Sequence, residues 1–279
     1  MKKKASKKNK ITSIVLLFIL LGGLSLLLYP IVSDYWNTFR QTKAIAAYTE
    51  AVSELDDASY ERWWEEAQAY NAALQKSQTR FHPSEEEKAV YEELLDVSGN
   101  GVLGYVEIPS INVSLPIYHG TDAQVLQIAI GHIEGTSLPV GGPSTHCVIS
   151  GHRGLPSAKL FTDLDQLTQG DVFILRVLEE TLTYEVDQIR IVEPDDISLL
   201  EIEEGEDLCT LMTCTPYGVN SHRLLVRGHR IENQEDAASI PITADAIQLE
   251  PRLVAPVLAI PVLLLLLLWG LLKPLRKRK

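Results

Sequence analysis

Thr210-Leu-Met-Thr-Cys-Thr-Pro-Tyr-Gly-Val-Asn-Ser-His-Arg223 reads as the end of one short strand, a break at Pro216 and Gly218, and the start of another strand. The flanking residues predict strands over 208–214 and 222–227, because β-branched and apolar residues crowd there between turn formers. Working back through the chain, the same texture persists to Val102. Short β-rich runs fall at 102–108, 111–117, 146–150, 172–177, 181–186 and 189–192, each bounded by Gly, Pro or Asp. Eight such runs predict a mainly β domain, a barrel or a sandwich.

A second stretch matches the first in character. Cys147-Val-Ile-Ser-Gly-His-Arg-Gly154 also begins strand-like and carries its reactive side chains at or just past the end of the run. Such positions present side chains to a cleft at the rim of a barrel. Between them the two stretches supply Cys214, His152 and Arg223. A thiol nucleophile needs a partner that makes thiolate available. It also needs a donor for the oxyanion of a tetrahedral intermediate, and arginine, always charged and rich in donors, suits that role. Arg227 lies in the same predicted strand as Arg223, and Arg153 follows His152. The other two cysteines, Cys147 and Cys209, lie five residues before His152 and Cys214 respectively. In unbroken strands an odd offset puts them on the opposite face. They read as buried apolar residues that lie near each other if the strands are neighbours; a disulfide between them is not predicted. Three cysteines leave at least one thiol without an internal partner. No Cys-x-x-Cys or His-x-x-x-His spacing occurs, so neither a metal nor a cofactor is expected.

Upstream of the β-rich part, residues 33–100 predict helices. Ile45, Tyr48, Val52 and Leu55 share one helical face; after an acidic break at Asp56–Asp57, so do Tyr60, Trp63, Ala67, Tyr70 and Leu74. These helices either pack on the β domain or stand off the membrane, or else part of the region covers an active site. Arg80-Phe-His-Pro83 interrupts the pattern, and Ser84 with Glu87 has capping-box spacing for a third helix to about Leu95.

The two ends differ from everything between them. A basic tail, 1–10, precedes an uncharged apolar run at 11–32, long enough at ~1.5 Å per residue to cross ~30 Å of hydrocarbon. It is long for a signal core and has no Ala-x-Ala site directly after it, so it reads as a retained anchor. A linker, 231–252, leads to a second apolar run at 253–272 and a basic tail at 273–279. Basic flanks at both ends predict two spans of a cell membrane with both termini cytoplasmic and the catalytic part, 101–230, outside. The whole region between the two spans, 34–250, holds all 37 acidic residues and only 13 of the 25 basic ones. So acidic a surface repels nucleic acid and excludes a DNA or RNA role.

Thr210-Leu-Met-Thr-Cys214, Arg223 nine residues on, and Ser150-Gly-His-Arg-Gly154 upstream together resemble the sortase family of cysteine transpeptidases, whose signature is Thr-Leu-x-Thr-Cys. The likeness runs from about Gly104 to Gly228 and takes in Ile117-Tyr-His-Gly-Thr121, Gly135-Thr-Ser-Leu-Pro139 and Leu155-Pro-Ser-Ala-Lys-Leu-Phe161. The stretch after Cys214 and the second span look like class C, the pilin polymerases. The resemblance implies a closed β-barrel of about eight strands with N-terminal helices and a transmembrane helix at each end. It implies that Cys214 attacks the Thr–Gly bond of a sorting signal like Leu-Pro-x-Thr-Gly, that His152 is general acid and then base, and that Arg223 holds the oxyanion. The partners it implies are pilin subunits bearing that signal, joined through a lysine amine. Class C enzymes often carry a lid with an Asp-Pro-aromatic motif. Here Arg80-Phe-His-Pro83 has no Asp-Pro pair, which leaves Phe81 and His82 as candidates to fill the cleft. Thr213, next to the cysteine, is a further substrate-facing candidate. The readings to be separated from this one are a sortase that anchors proteins to peptidoglycan, a generic cysteine protease, and a non-catalytic membrane-tethered adhesion or scaffold module.

Overall fold

β-rich runs from residue 102 onward close into one barrel. A computed structural model describes residues 2–77 and 79–233. The strands are β1 (Val102–Ile108), β2 (Val113–His119), β3 (Ile130–His132), β4 (Thr145–Ser150), β5 (Val172–Val177), β6 (Glu180–Val192), β7 (Asp207–Thr215) and β8 (His222–Ile231). They follow one another around the barrel as β1-β2-β3-β4-β7-β8-β6-β5. β2 pairs with β3 and β4 with β7 in parallel, and every other pairing is antiparallel. Closure removes the open edges that would invite pairing with another chain.

Two of the sequence expectations need correction. The runs at 181–186 and 189–192 are one strand, β6, whose pairing with β8 shifts register between Val186 and Gln188. Asp187 marks that irregularity and bonds Arg227. In exchange, β3 adds a strand that the sequence did not announce. It is three residues long, Ile-Gly-His, too short for any periodicity to show. Its Gly131 is required, because a Cβ there would lie 2.0 Å from the carbonyl oxygen of Gly120.

The N-terminal helices are α1 (Lys2–Ser53), α2 (Asp57–Leu74) and α3 (Glu85–Glu93). Residues before 35 belong to a unit of their own; those from Tyr35 onward belong with the barrel. The sequence predicts a span ending at Val32 and a separate helix after it, whereas α1 runs without a break through Pro30 to Ser53. No glycine or further proline lies between Ile31 and Ser53 to stop it. Among the described residues, one helix, within 15–53, is long and apolar enough to cross a membrane. The predicted second span, 253–272, with most of its linker and its basic tail, lies outside the described residues.

From residue 35 on, α1 buries one stripe on the barrel unit: Asn37, Gln41, Ile45, Tyr48 and Val52. The spacing is the helical three and four. Its polar members close backbone groups of the barrel unit. Asn37 donates to the Ser157 carbonyl at 2.8 Å, and Tyr48 donates to the Leu103 carbonyl and accepts from the Leu178 amide. Asp56 caps α2 through the Ser59 amide, and Ser84 and Glu87 form the expected capping box on α3. Asn71 of α2 pairs with both backbone groups of Leu138. These helices pack on the barrel, which was one of the readings open to them.

Candidate active site

Burial along β7 alternates. Leu211, Thr213 and Thr215 are buried, while Met212 and Cys214 are half-exposed. Two apolar clusters divide along the same line. Cys147, Ile149, Cys209, Leu211, Leu224 and Val226 belong to the main core inside the barrel. Val148, Leu200 and Leu225, with Met212 against them, form a second cluster on the outer face. Cys214 therefore sits on the outer face at the end of β7, and the odd offset does put Cys209 on the inner one. Cys147 and Cys209 are register partners across β4 and β7, both buried and both free thiols. Burial pushes the Cys209 thiol well above its ordinary value, so it stays protonated. Cys214 is the cysteine with solvent access, which thiol chemistry requires.

Arg223 is the direct register partner of Cys214 across β7 and β8. Its side chain is half-buried, and the one hydrogen bond it makes among the described residues is Nη1 to the His222 carbonyl at 3.3 Å. It forms no ion pair there. Arg227 differs sharply. It bonds both oxygens of Asp187, at 3.1 and 2.7 Å, and Glu203 at 2.8 Å. Of the two arginines on this face, Arg223 alone has a guanidinium without a carboxylate on it.

His152 lies two residues beyond β4. The Gly151 amide donates to the Met212 carbonyl, and Thr213 Oγ1 donates to the Gly151 carbonyl at 2.7 Å. These bonds lay the end of β4 along the end of β7, so His152 follows at the level of Cys214. Its own carbonyl accepts from the Phe161 amide at 3.2 Å. No hydrogen bond among the described residues holds its imidazole ring. Partial burial lowers its pKa from the ordinary imidazole value, which favours the neutral ring. Thr213 is buried, and its hydroxyl is occupied by Gly151. Arg153 pairs with Asp165 and lies over the Tyr217 ring.

The outer face is roofed by the β6–β7 connection, residues 193–206. His146 on β4 reaches the Glu201 carbonyl with Nδ1 and Thr210 Oγ1 with Nε2, both at 2.8 Å. Glu203 closes on Arg227, and Leu200 fills the outer apolar cluster. The segment from Arg80 to Pro83 docks onto this roof. Arg80 is buried, donates to the Leu200 carbonyl and Glu201, and stacks on Phe81 at 4.5 Å. Phe81 is half-buried and His82 exposed. Among the described residues no hydrogen bond, ion pair or ring contact links either of them to Cys214, His152 or Arg223. Sequence reasoning passed over Tyr217 and Asp187; neither residue type announces a role at its position.

The family signature described as the sortase domain matches residues 106–231. Sortase D of Bacillus subtilis (strain 168) is 33% identical over 131 residues, which are 46% of this chain and 63% of that protein. Sortase C1 of Streptococcus agalactiae, a crystal structure, is 50% identical with a TM-score of 0.67, covering 69% of this chain and 100% of that one. Sortase C of Streptococcus pneumoniae is 47% identical with a TM-score of 0.61 over 68% of this chain and 97% of that one. The description of that last structure speaks of pilin substrate specificity.

Proposed function

The chain belongs to the sortase family of cysteine transpeptidases, and from that premise we propose that it polymerises pilin, with Cys214 as nucleophile, His152 as general acid and base, and Arg223 as oxyanion donor. The observation that carries the reading is the Cys214–Arg223 register pair, with the arginine free of any carboxylate among the described residues. The Cys214 thiol passes its proton to His152, and the thiolate Sγ attacks the threonine carbonyl carbon of a Leu-Pro-x-Thr-Gly-like signal. The oxyanion that forms is held by the Arg223 guanidinium. His152 gives its proton to the departing glycine amine as the C–N bond breaks, leaving a thioester on Cys214. A lysine amine of the next pilin then attacks the thioester. His152 takes the proton, the thiolate leaves, and an isopeptide bond joins the two subunits. A depressed His152 pKa suits the second half, where a neutral ring must accept the proton.

The enzyme works from the outer face of a cell membrane, held by spans at 11–32 and 253–272 with both basic ends inside. Lysines at one end and lysine with arginine at the other support this orientation. The acidic catalytic part favours lysine-rich protein partners.

The test is incubation of the whole chain in detergent with pilin, with and without its acceptor lysine. Ladders of covalent polymer should form only with the lysine present. Polymer without it would remove the lysine from the reaction, and product carrying a peptidoglycan amine would favour wall anchoring. Hydrolysed signal with no transfer to an added amine would indicate a protease. Unchanged cleavage by Cys214→Ala would leave the non-catalytic reading.

A further inference from the structure

Catalysis by Cys214 and His152 requires the two loops that follow β4 and β7 to keep a fixed relation. His152 lies outside any strand, and no hydrogen bond among the described residues holds its ring. Besides the bond from the Gly151 amide to the Met212 carbonyl, two side-chain ties run between the chain around His152 and the chain around Cys214. Ahead of both residues, Thr213 Oγ1 bonds the Gly151 carbonyl at 2.7 Å. Beyond both residues, Tyr217 lies against Arg153 and Gly154. The histidine is thus bracketed at 151 and 154 by ties to residues 213 and 217, which bracket the cysteine.

The second tie depends on shape. Gly154 has φ +72°, and a Cβ there would lie 2.8 Å from Tyr217 Cε2 and 3.0 Å from Cζ. Only a residue without a Cβ admits the ring so close in that backbone conformation. The Arg153 guanidinium sits 5.8 Å from the ring centroid and is itself anchored by Asp165. The Gly154 amide donates to Thr162 Oγ1 at 3.1 Å, fixing the far side of the loop. Tyr217 is nonetheless 61% exposed. An aromatic ring left that open adds little to the core, so its packing on Gly154 is a local matter.

We propose that Tyr217 is a positioning residue, which clamps the His152 loop to the end of the Cys214 strand by packing on Gly154 and Arg153. The proposal rests on the assignment of Cys214 and His152 made above. The ring carries the function; the hydroxyl makes no hydrogen bond among the described residues.

The experiment compares Tyr217→Ala and Tyr217→Phe in the whole chain in detergent, with a short Leu-Pro-x-Thr-Gly peptide. Tyr217→Ala should lower kcat by about tenfold to a hundredfold, the cost of a misplaced catalytic group. KM should stay within about twofold and the melting temperature should hold. Tyr217→Phe should match the parent. A Tyr217→Ala variant with parental kcat, a loss carried by KM alone, or a Phe variant as poor as Ala would each overturn the clamp. Cys214→Ala run beside them separates the two levels: if it still cleaves, the site assignment itself fails, whatever Tyr217 does. A readout independent of turnover is the ring resonance of His152 in histidine-labelled protein. It should move or broaden in Tyr217→Ala and hold in Tyr217→Phe; an unmoved resonance in the Ala variant also overturns the clamp.

Discussion

Arg223 and Arg227 stand four residues apart on the same outward face of β8, opposite Cys214 and Thr210. Their surroundings give them opposite tasks. Arg227 is spent on Asp187 and Glu203, while Arg223 carries no carboxylate among the described residues, which suits the oxyanion role proposed for it. Arg223→Ala should therefore lower kcat/KM by roughly 10²–10³, the loss seen when one oxyanion donor is removed, with little change in melting temperature. Arg223→Lys should recover only part, since a lysine ammonium lacks the planar fork of donors. Arg227→Ala should do the reverse. It should cost about 1–3 kcal/mol in a urea titration by leaving the half-buried Asp187 carboxylate unpaired, while activity per folded molecule holds. A fall in kcat/KM for Arg227→Ala as deep as for Arg223→Ala would reassign the donor. The proposed site was legible in the sequence to the extent that chemistry dictates residue types: a thiol, an imidazole and an arginine at strand ends. Thr213 and Tyr217 were not legible as ties, because each acts on a loop some 60 residues distant and neither residue type announces a partner. Thr213 in particular neighbours the nucleophile, yet strand alternation turns it inward.

At the scale of elements, what the sequence hides is whatever local pattern cannot encode. The capping box on α3 and the break at Asp56 are local and were readable. The union of two runs into β6 turns on a register shift against β8, a property of a strand pair. β3 exists because β2 and β4 flank it. The docking of the segment around Arg80 is also non-local. Gly135, in the connection between β3 and β4, has φ +85°, and a Cβ there would stand 2.2 Å from the Arg80 carbonyl oxygen. Gly135→Ala should strain that connection by about 1–3 kcal/mol and lift Arg80 and Phe81 from their seat. Arg80 is buried in the native chain and so shielded from trypsin. In the variant, limited trypsin digestion should cut after Arg80 while the barrel stays intact. An Arg80 bond that remains protected would mean that Gly135 does not support the segment.

Over the whole molecule, barrel closure joins strands far apart in sequence. β4 pairs with β7 in parallel across two intervening strands, and β1 meets β5 to complete the ring. Such pairings leave no periodic trace, so composition alone predicted a barrel or a sandwich and could not choose between them; the closed barrel was an implication of the resemblance. The same interior sets how stability depends on pH. Burial is the leading cause that lowers the pKa values of His119, His146 and His152 from the ordinary 6.5. As pH falls below about 6.5 the unfolded chain binds protons that the fold resists, so stability present in full above that value is lost on the way down. Tyrosines act at the other end. Burial pushes Tyr60 and Tyr70 up to about 12, and Tyr48, Tyr91 and Tyr184 also upward. Above about 10 the unfolded chain loses phenolic protons that the fold retains, and stability falls again. Asp207 is raised by burial and works in the opposite sense, but in the carboxylate range well below the histidine window. The net charge of −12 also eases mainly there, as surface acids take up protons. Melting temperatures at constant ionic strength should therefore form a plateau between about pH 7 and pH 10, with a decline on both sides. A protein that grows more stable from pH 7 down to about 5.5 would show that relief of acidic repulsion, and not the buried histidines, governs the acid side.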